Sequence, residues 1–313
     1  MRIMGAASPG GPEVLRPFEA PEPHAGPGEI RVRVHFASVN PADLSVRSGA
    51  GRGAGIIAER TPPQIPGMEA AGIVDEVGPG ADRFAEGDEA MVIVLPSRPA
   101  GGAYAEFVAV PTASAAHVPR GVPLSRAATI PMNGLTAWRA LDLLALAPGE
   151  SLLVTGAAGA LGGYVLQLAR DRGILPIAVA EDRDAGRLRT LGAHAVIGRH
   201  DLHARLRAIA PRGVDGVIDG AVMNEHVLPF VRDGGAMASV RRWDATAPRG
   251  IRLLEVRVSD YAHRTDLLDT LRGRAEDGLL VPCEAEEVPA EDAADAHRRM
   301  ETGGVRGRLV LAF

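Results

Sequence analysis

Residues 150–171 read E-S-L-L-V-T-G-A-A-G-A-L-G-G-Y-V-L-Q-L-A-R-D, and this stretch decides the fold. Ser151–Thr155 is an apolar run of strand length. Gly156, Gly159, Gly162 and Gly163 follow, and then Val165, Leu166, Leu168 and Ala169 recur at helical spacing. The order is strand, tight glycine turn, helix. A helix that opens out of such a turn leaves its first backbone N–H groups unpaired, so an anion is its natural guest. The glycines let the backbone bend and let a diphosphate approach without a Cβ in the way. The spacing departs from strict G-x-G-x-x-G, because one extra residue separates Gly156 from Gly159. Taken alone, the turn therefore fits either a nucleotide site or an ordinary strand-to-helix connection. The next apolar strand, 174–180, ends in Glu181 and Asp182, about 20 residues after the turn, where a carboxylate meets an adenosine ribose.

Outward from this unit the same grammar continues. Helical patterns at 183–191, 202–209 and 225–231 alternate with strand patterns at 195–197, 214–218 and 236–240, which predicts a parallel sheet covered on both faces. Residues 253–258 predict a further strand, either closed by its own domain or at a sheet edge and a subunit contact. Helices are expected at 125–128 and 136–146. Earlier in the chain the pattern differs. Residues 1–28 are rich in Pro and Gly and predict irregular structure. From residue 29, I-R-V-R-V-H-F alternates with Ile30, Val32, Val34 and Phe36 on one face, and 71–77, 89–94 and 104–110 are further short strands between Gly and Pro turns. This is a β-rich, barrel-like domain. Helices at 261–276 and 292–300 precede a last strand, 308–313, whose alternation matches the first domain. The division expected is 1–118, completed by about 279–313, and 119–278.

Composition narrows the class. The chain has 313 residues, 46% hydrophobic and 23% charged, which is ordinary for a soluble protein with two cores. The net charge of -5 is spread over mixed signs with no basic stripe, which argues against a nucleic-acid partner. The single cysteine, Cys283, excludes an intrachain disulfide and a cysteine zinc cluster. No apolar run has membrane-spanning length and no secretory leader opens the chain, so a cytoplasmic protein without a membrane partner is expected.

At this point the chain resembles the zinc-independent quinone oxidoreductase branch of the medium-chain dehydrogenase/reductase superfamily. The most specific match is 149–170, G-E-S-L-L-V-T-G-A-A-G-A-L-G-G-Y-V-L-Q-L-A-R, with Ala160 where the branch usually carries a second adjacent glycine. Residues 37–49, A-S-V-N-P-A-D-L-S-V-R-S-G, resemble the substrate loop, 66–72, P-G-M-E-A-A-G, the entry to the catalytic domain, and 131–138, P-M-N-G-L-T-A-W, the interdomain crossing. Ala296, His297 and residues 306–310 resemble the closing elements. The resemblance implies an α/β protein: a Rossmann-type, doubly wound parallel-sheet domain beside a β-rich, GroES-like catalytic domain built from the N-terminal part and the chain's end. It also implies a nicotinamide held between the two, and a homodimer.

Zinc-dependent relatives hold their metal with Cys, His and Cys, and the matching positions here are Asn40, Met68 and Met132. An amide and two thioethers cannot replace two thiolates and an imidazole, so no zinc is expected. Without a Lewis acid, hydride transfer to a conjugated acceptor is easier than alcohol oxidation, because the developing charge spreads onto a remote carbonyl oxygen. Asn40, Asp43 and Thr136 are the candidate catalytic residues by resemblance. Asn40 holds an acceptor oxygen or, alternatively, caps the turn before Pro41. Asp43 orients the loop or a neighbour such as Arg47. Thr136 bonds the nicotinamide or begins a helix.

For the cofactor, Gly156, Ala158, Gly159, Ala160, Leu161 and Gly162 are expected around the diphosphate. Asn40, Met132 and Thr136 belong near the nicotinamide, and Ala221, Val222, Ser239 and Val240 on loops past its ribose and ring. Glu181 suits a free 2′-hydroxyl, whereas Arg183, Arg187 and Arg199 suit a 2′-phosphate. Family habit and the three arginines put NADPH first and NADH second. The expected function is an NAD(P)H-dependent reductase acting on a quinone or the activated C=C bond of an α,β-unsaturated carbonyl compound. A nucleotide-binding protein without turnover, or an alcohol dehydrogenase, is the alternative.

Overall fold

The computed structural model describes residues 1–50, 63–198, 200 and 202–313. Its contacts divide the chain into Met1–Met132 with Ala262–Phe313, and Asn133–Tyr261.

The first unit opens with β1 (Arg2–Ala6) and β2 (Leu15–Glu19), an antiparallel pair where irregular chain was expected. Pro17 is compatible with strand because this two-stranded ribbon needs few of its N–H groups. Next come β3 (Glu29–Ser38), α1 (Pro41–Ser48), β4 (Glu69–Val77), β5 (Glu89–Ile93), β6 (Phe107–Pro111), β7 (Ala115–His117) and α2 (Leu124–Ala127). Strand β3 buries Ile30, Val32 and Val34, as its alternation predicts, but then changes phase. Its register against β4 shifts between Val34 and Phe36, so Ala37 turns inward in place of Phe36. One extra residue in a strand moves every later side chain to the other face.

The second unit takes over within α3 (Pro131–Leu144), which starts at Pro131 and not at Thr136. Proline suits a first helical position, since its missing N–H has no partner there anyway. The unit continues with β8 (Ser151–Thr155), α4 (Ala160–Asp171), β9 (Leu175–Val179), α5 (Ala185–Thr190), β10 (Ala195–Ile197), α6 (Leu202–Ile209), β11 (Val214–Asp219), β12 (Val231–Ser239) and β13 (Arg252–Glu255). Asn224–Phe230 is a 3-10 turn and not the α-helix expected there, because Pro229 interrupts it. All six strands are parallel, in the order β10-β9-β8-β11-β12-β13. The order reverses at β8, and ligands of such sheets bind outside the strand ends at that point. Leu153, Ile177, Val217 and Met237 from the four central strands share one core.

The chain then returns to the first unit through α7 (Thr265–Glu276), β14 (Ala285–Pro289), α8 (Ala293–Thr302) and β15 (Arg308–Ala312). Strand β15 pairs antiparallel with β3 and completes a seven-stranded sheet, with Leu309 and Leu311 fully buried in the core of Ile30, Val32, Val74 and Val92. Each such leucine contributes about 1.5–3 kcal/mol. Residues 119–132 and 262–278, expected with the nucleotide domain, belong to this unit. The reason is polar as well as apolar: Ser114 Oγ donates to the Ala262 carbonyl at 2.8 Å, and Arg83 holds Asp269 through both carboxylate oxygens.

Candidate functional site

In the first unit the site is built on the start of α1. Asn40 is the residue before its first turn, with extended backbone, and Pro41 follows. Asp43 returns its carboxylate to this turn, and the Asn40 N–H donates to Asp43 Oδ2 at 2.8 Å. The other oxygen, Oδ1, accepts the Gly67 N–H at 2.8 Å. Gly67 has φ +106° and a Cβ there would lie 2.6 Å from the Ala103 nitrogen, so only glycine brings this N–H to Asp43. Arg47, expected as a partner of Asp43, instead bonds the Gly10 carbonyl and pairs with Glu301.

The Asn40 side chain is also held. Its Nδ2 donates to Glu69 Oε1 at 3.0 Å, while Glu69 Oε2 accepts the Met132 N–H at 2.8 Å. Asn40, Asp43 and Glu69 are all fully buried. The Asn40 backbone thus starts the helix, and its amide is oriented by a carboxylate. Burial pushes the Asp43 carboxyl up to about 7, against the lowering effect of the Asn40 and Gly67 N–H groups; Glu69 raises it and Arg308 lowers it.

In the second unit the glycine turn has the geometry of an anion cradle. Gly159 precedes α4 with no side chain capping it, and the first full-turn bond runs from the Gly163 N–H to the Gly159 carbonyl at 3.0 Å. The N–H groups of Ala160, Leu161 and Gly162 precede that bond. A Cβ on Gly162 would sit 2.5 Å from Ala157 Cα and 2.6 Å from the Gly156 carbonyl oxygen. Helix and turn are thus in backbone contact. Ala160 is accommodated as the first residue of α4 and is buried.

The Arg187 guanidinium donates to the Ala158 carbonyl at 2.7 Å and so stands over the turn. Glu181 is paired with Arg183 at 2.5 Å, both exposed. Arg199 lies outside the described residues. At the strand ends, Thr155 Oγ1 donates to Asp219 Oδ1 at 2.6 Å and accepts the Ala221 N–H at 3.1 Å. Asp219 Oδ2 accepts the Asn224 N–H at 2.7 Å, and Val222 between them has φ +55°. This buried pair fixes the loop carrying Ala221 and Val222. Ser239 Oγ donates to the Arg241 carbonyl, and Val240 lies between them. A cavity of about 300 Å³ opens beside Ser239, lined by Met237, Arg241, Trp243, Leu253 and Glu255.

Residues 26–120 match the alcohol dehydrogenase GroES-like domain family, and residues 191–311 match the zinc-binding dehydrogenase family. An NAD-dependent alcohol dehydrogenase of Sulfolobus acidocaldarius is 30% identical over 96% of this chain and 96% of its own. The chain belongs to the medium-chain dehydrogenase/reductase superfamily. Rat quinone oxidoreductase is 29% identical over 99% of this chain and 97% of its own length. A mycobacterial structure complexed with NADPH is 26% identical, with a TM-score of 0.85 over the full length of both chains. The chain also matches polyketide synthase GfsB of Streptomyces halstedii at 30% identity, spanning 95% of this chain but only 5% of that protein.

As a superfamily member the chain is an oxidoreductase, and the zinc question can be put to its residues. The donors present are the Asn40 amide, already bonded to Glu69, and the thioethers of Met68 and Met132. One carboxylate with an amide and thioethers does not fit a zinc ion. Among the described residues no group of three His, Cys, Asp or Glu side chains is arranged to hold a metal, and no helix is long and apolar enough to cross a membrane. Thr136 is buried in the second turn of α3, one turn beyond Met132, so it is not a helix-start residue. Sequence reasoning missed Glu69 and the bonds of Asp219. The only signal for Glu69 was a lone carboxylate inside the apolar run 66–74.

Proposed function

We propose that this protein is an NAD(P)H-dependent, zinc-independent reductase that delivers hydride to a quinone or to the activated C=C bond of an α,β-unsaturated carbonyl compound. The observation that carries this reading is the fully buried Asn40 amide held by Glu69, at a position where a zinc-dependent relative would need a thiolate. An oriented amide N–H suits a carbonyl oxygen on which charge develops. The N–H groups of Ala160, Leu161 and Gly162 and the turn residues Gly156, Ala158 and Gly159 would hold the diphosphate, with Met132, Thr136, Ala221, Val222, Ser239 and Val240 toward the nicotinamide. When bound, the nicotinamide cofactor supplies the hydride. The chain's part is to hold the acceptor oxygen at Asn40 and let water deliver the proton.

Arg187 above the turn, with Glu181 already neutralised by Arg183, supports NADPH over NADH. Strand β13, last in its sheet, is the proposed contact of a homodimer.

The test is to follow the absorbance of NADPH, and separately NADH, on addition of a panel of quinones and enones, with metal analysis of the same sample. Turnover without bound zinc supports the proposal. Cofactor binding without oxidation by any acceptor, or zinc-dependent oxidation of alcohols with NAD(P)⁺, defeats it.

A further inference from the structure

Because the strand order of the second unit reverses at β8, with β9 on one side and β11 on the other, a ligand is expected in the crevice between the turn that leaves β8 and the loop that leaves β11. Two buried side chains join those elements. Thr155 and Asp219 are the last residues of β8 and β11, and they are paired in register. The Thr155 hydroxyl donates to Asp219 Oδ1 at 2.6 Å, and its oxygen accepts the Ala221 N–H at 3.1 Å. Asp219 Oδ2 accepts the Asn224 N–H at 2.7 Å. One hydroxyl and one carboxylate thus grip the loop at two points, Ala221 and Asn224.

The loop needs that grip. Val222 has φ +55° and Asn224 φ +52°. Asparagine tolerates this left-handed conformation, but a β-branched valine rarely adopts it, because Cβ crowds the carbonyl that follows. Asn224 Oδ1 is moreover buried with no hydrogen-bond partner among the described residues, which is a further cost. Such unfavourable features persist only where the surroundings over-determine them, and they gather at ligand clamps. Turn and loop also touch backbone to backbone. A Cβ on Gly156 would lie 3.2 Å from the Gly220 carbonyl carbon, and one on Gly220 would lie 2.9 Å from the Thr155 carbonyl oxygen. A shift of the loop is therefore felt by the turn.

We propose that Thr155 and Asp219 are positioning residues that lock the glycine turn and the loop 220–224 into one rigid wall, set for the nicotinamide half of the dinucleotide before it binds. The role in binding rests on the proposed cofactor reading. A loop that is already ordered loses no freedom when the ligand arrives, so affinity is gained without a new contact. Releasing the pair should weaken the half of the cofactor that meets the loop and spare the adenosine half.

The grip is tested in the ligand-free, full-length protein by amide hydrogen exchange, read residue by residue by NMR. The Ala221 and Asn224 amides should be protected although they lie in a loop. In Thr155→Val, which keeps the shape and removes the hydroxyl, their protection falls while the Val217 and Ile218 amides of β11 keep theirs. Thr155→Ser, which keeps the hydroxyl, retains it. Fast exchange of the two loop amides in wild-type protein, or protection that Thr155→Val leaves intact, would overturn the proposal. Binding is then measured by calorimetry with NADPH, with NADH and with 2′,5′-ADP, which carries the adenosine half alone. Thr155→Val should raise the Kd for NADPH by about tenfold and leave that for 2′,5′-ADP unchanged. Equal losses for both would reduce the pair to a support of the whole fold, and no loss would remove the loop from the site; either result defeats the positioning role. If wild-type protein binds neither NADPH nor NADH, the cofactor reading itself fails, whereas the exchange still decides whether the pair holds the loop.

Discussion

Glu69 Oε1 accepts the Asn40 side-chain amide at 3.0 Å, and neither residue touches solvent. Because the second carboxylate oxygen accepts the Met132 N–H, both oxygens of a buried anion are committed to donors. Glu69→Gln keeps the shape but turns one acceptor into a donor, which then faces an N–H. The expected loss of stability is about 2–3 kcal/mol, read from the urea midpoint at constant slope. Since Asn40 loses its orienting partner, kcat for quinone or enone falls by about tenfold or more, with the cofactor KM unchanged. A variant as stable and as active as wild type would show that this contact does neither job.

The glycine turn offers a paired test within one helix. Gly162→Ala puts a methyl 2.5 Å from Ala157 Cα, and backbone cannot yield as a flexible side chain can. The start of α4 must shift, and dinucleotide affinity measured by calorimetry should fall by about tenfold or more. Gly163→Ala meets only Leu191 Cδ1, at 3.6 Å, an ordinary contact. It should bind normally and gain up to about 1 kcal/mol from helix propensity. Equal affinity in the two variants would remove the turn from the cofactor site.

How far the sequence foretold this structure depends on how local each cause is. The parallel sheet was legible because its strands and most of the helices between them carry their own period, and because the turn after Thr155 needs glycine where no side chain fits. Phe36 was assigned to the wrong face because a bulge leaves no mark in the alternation that precedes it. Strands β1 and β2 were missed for the opposite reason: Pro17 reads as a breaker, yet it sits on the exposed side of β2, which has β1 as its one partner strand. Asn40 was singled out through its motif, but its Glu69 partner lies 29 residues away and the Met132 N–H 63 residues from Glu69. Pairings of that kind are set by the folded sheet and have no local signature.

Arg187 tests the choice of cofactor. Its guanidinium is anchored on the Ala158 carbonyl at 2.7 Å, leaving other N–H groups to meet a phosphate near the turn. Arg187→Ala should raise the KM for NADPH by about tenfold and leave that for NADH unchanged. A parallel rise for both cofactors would mean that the side chain supports the turn and does not read the 2′-phosphate.

Stability against pH should reveal two opposing buried groups. Asp43 lies at about 7 in the fold, up from its ordinary 3.8, so the folded state binds a proton that the unfolded chain has lost. That contribution is complete below about pH 4 and disappears as pH rises toward 7. His297 lies at about 3, down from its ordinary 6.5, so the unfolded chain binds the extra proton. Its contribution is complete above about pH 6.5 and disappears as pH falls toward 3. Between about pH 4 and 6.5 the two slopes, each about 1.4 kcal/mol per pH unit, oppose one another and nearly cancel. Asp43→Asn should therefore expose the histidine's slope, with urea midpoints falling steadily on acidification. His297→Gln should expose the aspartate's, with midpoints rising over the same interval. If both variants keep the wild-type dependence, the two groups are ionised alike in the folded and unfolded chains, and neither is held by burial in the state described.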